Sequence, residues 1–237
     1  MSLLIDNQET RANFCISPEN MKRLQEIMID QKVTKDSPLF WEHDAADKVY
    51  YIKKGKIKVT KNSNDGKVFI LYVFREGDFV GQLDPYSDST QQFNGIAIED
   101  SVVGVIHKQD LETLLWQYSD LAIDFMKWMG LVSRITQTKF RDLIMYGKQG
   151  ALCSTLIRLA NSYGVETPEG ILIKQKLTNT DLADYIGAAR ESVSRMLSAL
   201  KKENAVDMKD GYLLLKDIDY LKDICHCETC PKEICRI

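Results

Sequence analysis

The side chains best suited to chemistry lie near the end of the sequence. Cys227-Glu228-Thr229-Cys230-Pro231-Lys232-Glu233-Ile234-Cys235 holds three of the six cysteines in nine residues, and Cys225 precedes them. Thiolates gathered this way make a soft-metal site, because each is a strong donor and together they neutralise a zinc ion or an iron–sulfur cluster. Pro231 stiffens the turn after Cys230. The stretch has too little apolar surface to fold alone, so the rest of the chain must hold it down. That arrangement suggests a sensor–switch protein whose tail reports on redox state. A disordered end with idle cysteines is the plainer reading. A disulfide hook is disfavoured: Met1 to Asn20 has no charged-then-apolar leader pattern, and no run reaches the ~18 apolar residues of a spanning helix. The expectation is a cytoplasmic chain without a membrane partner, whose thiols stay reduced and favour metal over disulfide. Zinc, with Cys225 or His226 completing a tetrahedron, and iron–sulfur both remain open on spacing.

A second set of residues could read nucleic acid. The net charge of −3 gives no global hint of a polyanionic partner, so any such surface must be a local basic face. Ala189 to Lys202 supplies one, with Arg190, Arg195, Lys201 and Lys202 against a single acid, Glu191. Helical spacing puts Val193, Met196, Leu197 and Leu200 on a buried stripe, and turns Arg190, Glu191, Ser194 and Arg195 away from it. An arginine fork can bond O6 and N7 of guanine, and a glutamate can accept from N4 of cytosine. Upstream, Thr178-Asn179-Thr180-Asp181 has the form of a capping box, Leu182 to Ile186 makes a short helix, and Gly187 ends it. Downstream, Ala205 to Met208, Asp210-Gly211 and Tyr212 to Leu215 read as a hairpin wing. Together these predict a winged helix-turn-helix. The alternative is a merely solvated helix face.

At 237 residues the chain has room for two modest domains, and its 44% hydrophobic and 27% charged content is ordinary for a globular protein. Residues 1 to about 20 read as a loose lead-in, with Cys15 isolated and incidental. A short helix is expected from Pro18 through Met28. From about Val33 to Ile106 short alternating segments, broken at Gly55, Asn64-Asp65-Gly66 and Gly77-Asp78, predict a small β-barrel or sandwich. One long helix is expected over about Gln109 to Tyr146. Phe125, Met129, Val132, Thr136, Lys139 and Leu143 form its seam, and a second stripe includes Met126 and Ile135. Such a helix is buried on two sides, once against its own barrel and once against a partner, which makes it a dimerisation helix. A core helix of a monomer is the alternative. Gly147 and Gly150 should end or bend it. Cys153, inside the next amphipathic helix, reads as a small buried hydrophobe.

This order resembles the CRP/FNR family of bacterial transcription regulators. The resemblance covers about residues 20 to 220 and is carried by Val49–Leu83, above all Gly77-Asp78-Phe79-Val80-Gly81, and by Leu177–Leu200. Phe125 to Met129, Leu156 to Val165 and the tail cysteines are similar to the Bacillus-type anaerobic regulators within the family. The implied fold is α+β. An N-terminal β-roll, a cyclic-nucleotide-binding-like jelly roll, occupies 1–108 and the dimerisation helix 109–147. A C-terminal winged helix-turn-helix follows over 148–220, then a cysteine-rich tail over 221–237.

The resemblance implies a [4Fe-4S] cluster held by Cys227, Cys230, Cys235 and Asp142. Cys225 is the rival fourth ligand, disfavoured by its single-residue spacing from Cys227; Asp142 would otherwise be an ordinary surface carboxylate near Arg141. It also implies a homodimer on double-stranded DNA, with Arg190, Glu191 and Arg195 on a palindromic TGTGA-type site, and RNA polymerase as a further partner. Relatives that bind cyclic AMP use a Gly-Glu-Leu turn and a downstream Arg-Ser pair. Here Gly81-Gln82-Leu83 and the arginine-free Ser89 to Phe93 imply no cyclic nucleotide. The expected function is oxygen-responsive regulation of anaerobic genes. A zinc-stapled regulator without oxygen sensing and a redox electron carrier are the alternatives. No flavin or nucleotide glycine motif and no Ser/His/Asp set argues for an enzyme.

Overall fold

A computed structural model describes residues 15–82 and 88–237. It divides into two compact units, residues 1–61 with 72–132, and residues 62–71 with 133–237.

The first unit opens with helix α1, Pro18–Glu26, capped by the Ser17 hydroxyl, which accepts from the Asn20 amide. Among the described residues eight strands follow, β4 ending at and β5 beginning in the segment 62–71 grouped with the second unit: β1 Ile29–Val33, β2 Pro38–Phe40, β3 Lys48–Lys54, β4 Lys56–Asn62, β5 Val68–Arg75, β6 Phe79–Gly81, β7 Asn94–Ala97 and β8 Ser101–His107. They form two four-stranded sheets, ordered β1-β8-β3-β6 and β2-β7-β4-β5. No apolar alternation marks strands β1 and β2. In β1 only Val33 is buried and four residues face solvent, so the strand carries no apolar period. The predicted turns at Gly55, Asn64–Gly66 and Gly77 are present, and Leu83 of the Gly-Gln-Leu turn lies outside the described residues. Between the sheets, Phe40 stacks on Tyr50 with ring centroids 5.7 Å apart, and Tyr72, Phe74 and Phe93 add to the same apolar cluster.

The expected single helix is two. Helix α2, Lys108–Gln117, ends at Tyr118, whose backbone is extended, and α3 runs from Ser119 to Tyr163. Neither glycine nor proline marks that break. Gly147, at φ 61° and ψ −166°, kinks α3 as its sequence position suggested, while Gly150 stays helical. The two expected stripes are sorted differently. Phe125 of the supposed seam packs inside the first unit, 5.6 Å from Phe79 and 5.8 Å from Trp128 between ring centroids, and Ile135 is buried. Met126, Met129, Phe140 and Ile144 are exposed instead. Periodicity finds the stripes of a helix but not which of them its own unit covers.

The C-terminal part begins with strands β9, Gly164–Thr167, and β10, Gly170–Ile173, around the turn at Pro168-Glu169-Gly170. The sequence marks that turn, but each flanking strand is only four residues long and carries no clear alternation. Helices α4, Asn179–Ile186, and α5, Arg190–Lys202, precede strands β11, Val206–Lys209, and β12, Tyr212–Leu215. The four strands form one sheet ordered β11-β12-β10-β9. A last helix, α6, Ile218–Ile224, leads into the cysteine-rich tail.

Candidate functional site

The nucleic-acid face is assembled by local devices. Thr178 caps α4 in a reciprocal box: its hydroxyl accepts from the Asp181 amide at 3.1 Å, and its own amide donates to Asp181 Oδ2 at 2.7 Å. Gly187 closes the helix in the left-handed region at φ 59°, the conformation that costs glycine least. Leu182, Ala183 and Ile186 of α4 are buried, as are Val193 and Leu200 of α5, and the two helices pack together. This leaves Arg190, Glu191, Ser194 and Arg195 exposed on the first turns of α5. The basic face is narrower than composition suggested, because Lys201 Nζ lies 2.7 Å from Asp207 Oδ1. In the wing, Asp210 and Gly211 both have positive φ, which makes the tight reversal between Lys209 and Tyr212.

The tail is fastened to α3 through its backbone carbonyls and an amide. Arg158 Nη1 donates to the Ile234 carbonyl at 3.1 Å, and Asn161 Nδ2 to the Cys235 carbonyl at 2.6 Å. The Ile237 amide donates to Ser162 Oγ at 2.9 Å. His226 stacks on Tyr146 with centroids 4.7 Å apart, and Arg141 pairs with Glu228. His226 and Thr229 both take positive φ, so the chain reverses sharply on either side of Cys227. Cys227, Cys230 and Cys235 are partly exposed, whereas Cys225 is buried. Burial pushes the Cys225 thiol up to about 12, helped by Cys227 and Asp142. It also raises Cys235, against the opposing pull of Arg158. Cys153 faces the same interior and is pushed to about 12 by burial and by Cys225. Cys15 is buried too, in the first unit.

Asp142 is not a surface carboxylate: it is 2% exposed. Its Oδ1 accepts from Arg141 Nε at 3.1 Å and Nη2 at 2.6 Å. Its Oδ2 accepts from Arg158 Nη2 at 2.9 Å and from the Ser154 hydroxyl. Burial works against the charge of Arg141, but pairing with Asp142 and Glu228 outweighs it and raises its pKa. Among the described residues no three His, Cys, Asp or Glu side chains are gathered closely enough to hold a single metal ion.

The donor set nevertheless suits an iron–sulfur cluster. It offers three thiols on one short loop and a buried carboxylate bonded into the same network. Oδ2 of that carboxylate is already oriented by Arg158 and Ser154, as the outer partners of a one-oxygen metal ligand are. Ligation through Oδ1 would require Arg141 to give up that oxygen. Arg158, Asn161 and Ser162, which seat the tail, were not picked out from sequence. The available signal was a lone arginine in the otherwise apolar run Leu156-Ile157-Arg158-Leu159.

Two jelly-roll sheets, a long kinked helix and a winged helix-turn-helix define a class of DNA-binding regulator. Residues 30–118 match the cyclic nucleotide-binding domain and residues 150–224 the Crp-like helix-turn-helix domain. The chain belongs to the CRP/FNR family of transcription regulators, whose members bind DNA as dimers and are not enzymes. It is 43% identical over 224 residues to the anaerobic regulatory protein of Bacillus subtilis (strain 168), covering 94% of each chain. It is also 26% identical to the cAMP-activated global transcriptional regulator CRP of Salmonella typhimurium, over 74% of this chain and 83% of that one. A solved CooA mutant from Carboxydothermus hydrogenoformans shares the fold, with a TM-score of 0.72 at 20% identity over 86% of this chain and 90% of that one. Among the described residues no helix is long and apolar enough to cross a membrane.

Proposed function

We propose that this chain is an oxygen-responsive regulator of anaerobic gene expression, acting in the cytoplasm as a homodimer on palindromic DNA. Cys227, Cys230, Cys235 and Asp142 would hold its [4Fe-4S] cluster. The observation that carries this reading is the burial of Asp142 within the network that docks the cysteine tail, although it lies far from the tail in sequence. Charge supports it. Three thiolates and a carboxylate bring four negative charges, and the guanidinium groups of Arg141 and Arg158 already stand beside Asp142. A single zinc ion at about 2.3 Å from each sulfur needs the sulfurs roughly 3.8 Å apart. A four-iron cluster takes each ligand on a different iron and suits a wider set. Zinc is therefore the second reading.

When bound, the cluster supplies oxygen-labile redox chemistry. The protein's part is to fix the tail. While all four ligands are engaged, the tail is clamped to α3 on both sides of Gly147. Thiols released from iron would leave it on the Arg158, Asn161 and Ser162 bonds, the Arg141–Glu228 pair and the His226–Tyr146 stack. Arg190, Glu191, Ser194 and Arg195 would read a TGTGA-type half-site, two such sites lying about 34 Å apart along the duplex. The exposed Met126, Met129, Phe140 and Ile144 would pack against a second copy of α3. RNA polymerase is the expected partner at promoters. No cyclic nucleotide is expected, since Gln82 replaces the ribose-binding glutamate and Ser89 to Phe93 offers no arginine.

The test is anaerobic purification, a visible spectrum before and after air, iron and sulfide per chain, and DNA binding in both states. A brown protein with about four irons that bleaches and loosens its grip on DNA in air is expected. A colourless protein with stoichiometric zinc and oxygen-independent binding would overturn it.

A further inference from the structure

Arg158 is buried on the far limb of α3, and its guanidinium reaches three separate parts of the second unit. Nη2 donates to Asp142 Oδ2 at 2.9 Å and to Thr138 Oγ1 at 3.3 Å, both before the kink at Gly147. Nε donates to Ser154 Oγ at 3.2 Å, beyond the kink. Nη1 donates to the Ile234 carbonyl in the tail at 3.1 Å. A Cβ added at Gly147 would meet nothing within 4 Å, so no side chain packs on the glycine itself; the limbs are bridged by Arg158, by the Ser154 hydroxyl on Asp142, and by the tail's contacts with Arg141 and Tyr146. Its angle is therefore set by what bridges the two limbs.

We infer that Arg158 is the positioning residue that converts docking of the tail into the angle at Gly147. The tail would then act on DNA affinity through this side chain and not through the metal ligands alone. The inference rests on the reading that the tail controls DNA binding. Its physical basis is the rigidity of the guanidinium fork. A buried donor that loses Ile234 must be satisfied elsewhere, because an orphaned one is costly. The fork can turn to do so only by changing its bonds to Thr138, Asp142 or Ser154. A buried polar network of this kind rearranges between discrete states and does not yield continuously.

The test is a double-mutant cycle on the full chain, kept anaerobic, with one DNA duplex as ligand. Asn161→Ala removes its bonds to the Cys235 carbonyl and thiol and loosens the tail without removing any Arg158 bond, and the iron count shows whether the cluster is kept. Arg158→Lys keeps the charge but cannot span the four acceptors. Hydrogen exchange at the Ile234–Ile237 amides reports the tail, and iron and sulfide are counted in the same samples. In the wild-type background Asn161→Ala should speed tail exchange and weaken DNA binding about fivefold. In the Arg158→Lys background it should speed exchange equally yet change DNA affinity less than twofold. A fivefold loss in both backgrounds overturns the inference. Faster exchange with unchanged DNA affinity in the wild-type background refutes tail control itself, whatever the iron content. Absence of iron overturns the cluster assignment while the cycle still reads out. Should the lysine variant fail to fold, Arg158→Gln, which needs no counter-charge, carries the same outcomes.

Discussion

Replacing Asp142 with alanine tests the network on which both the site and its coupling depend. The carboxylate is 2% exposed and accepts from two arginines and a serine. Breaking a buried pair by removing one partner costs about 3–5 kcal/mol, mostly from the stranded charge. Here the loss belongs at the lower end. Arg158 keeps Thr138, Ser154 and Ile234, and Arg141 keeps Glu228. About 3 kcal/mol is expected, which at roughly 4 °C per kcal/mol for a unit of this size lowers its Tm by about 12 °C. The assay is calorimetry on chelator-treated protein, so that ligand binding does not add to the difference, with the two units fitted as separate transitions. A surface carboxylate would give a change within about 0.5 kcal/mol. A drop below about 1 kcal/mol refutes the buried network. Iron and sulfide content, measured on untreated samples of the same variant, should fall as well; full loading would remove Asp142 from the ligand set.

Three further perturbations separate the parts. Arg195→Ala should cost about 1–3 kcal/mol of DNA affinity and relax the preference at one base pair, measured on a panel of single-base variants of the site; a uniform loss across the panel would mean a phosphate contact instead. Gly147→Ala puts a side chain into a backbone conformation that only glycine adopts readily, costing about 1–3 kcal/mol. It should change the kink and DNA affinity while leaving α4 and α5 folded, as read by circular dichroism and a binding titration. In the first unit, burial raises the pKa of Asp124, but donation from the Ser17 amide, Asn20 and Lys127 outweighs it and leaves the group low. A depressed carboxylate stabilises above its unfolded pKa of about 3.9 and loses that contribution as pH falls through the folded value. Protease resistance of residues 15–26 should therefore hold from neutral pH to about 4 and fail below it, and Asp124→Asn should flatten that dependence.

The helix-turn-helix was legible because each device that builds it is local. A cap answers a carboxylate three residues on, a glycine ends the helix, and an apolar stripe selects the exposed face. The sheets were legible at their turns but not at β1, whose exposed residues leave no alternation. The break at Tyr118 had no local signal, and the stripes of α3 could be found but not assigned to partners. The cysteines of the tail stand out in the sequence, whereas the seat of the tail does not. Arg158 meets Asp142 sixteen residues back and Ile234 seventy-six residues on, and no period in a sequence encodes such a meeting.

The departures from local rules nonetheless fall in one place. Every residue from Ala151 to Ala160 is buried, although Ser154, Thr155 and Arg158 are polar. Gly147 leaves helical geometry inside a continuous helix, and His226 and Thr229 hold positive φ without being glycine. A chain selected for stability alone would fill such a helix with apolar side chains, since a buried ion pair is often no better than a well-packed hydrophobic replacement. Retaining a charged hub beside a kink and a cysteine loop costs stability and returns a linkage among the three. Local inconsistency concentrated this way is expected where structure serves function. The proposed control of DNA binding would then lie at the junction of kink and tail, away from α5.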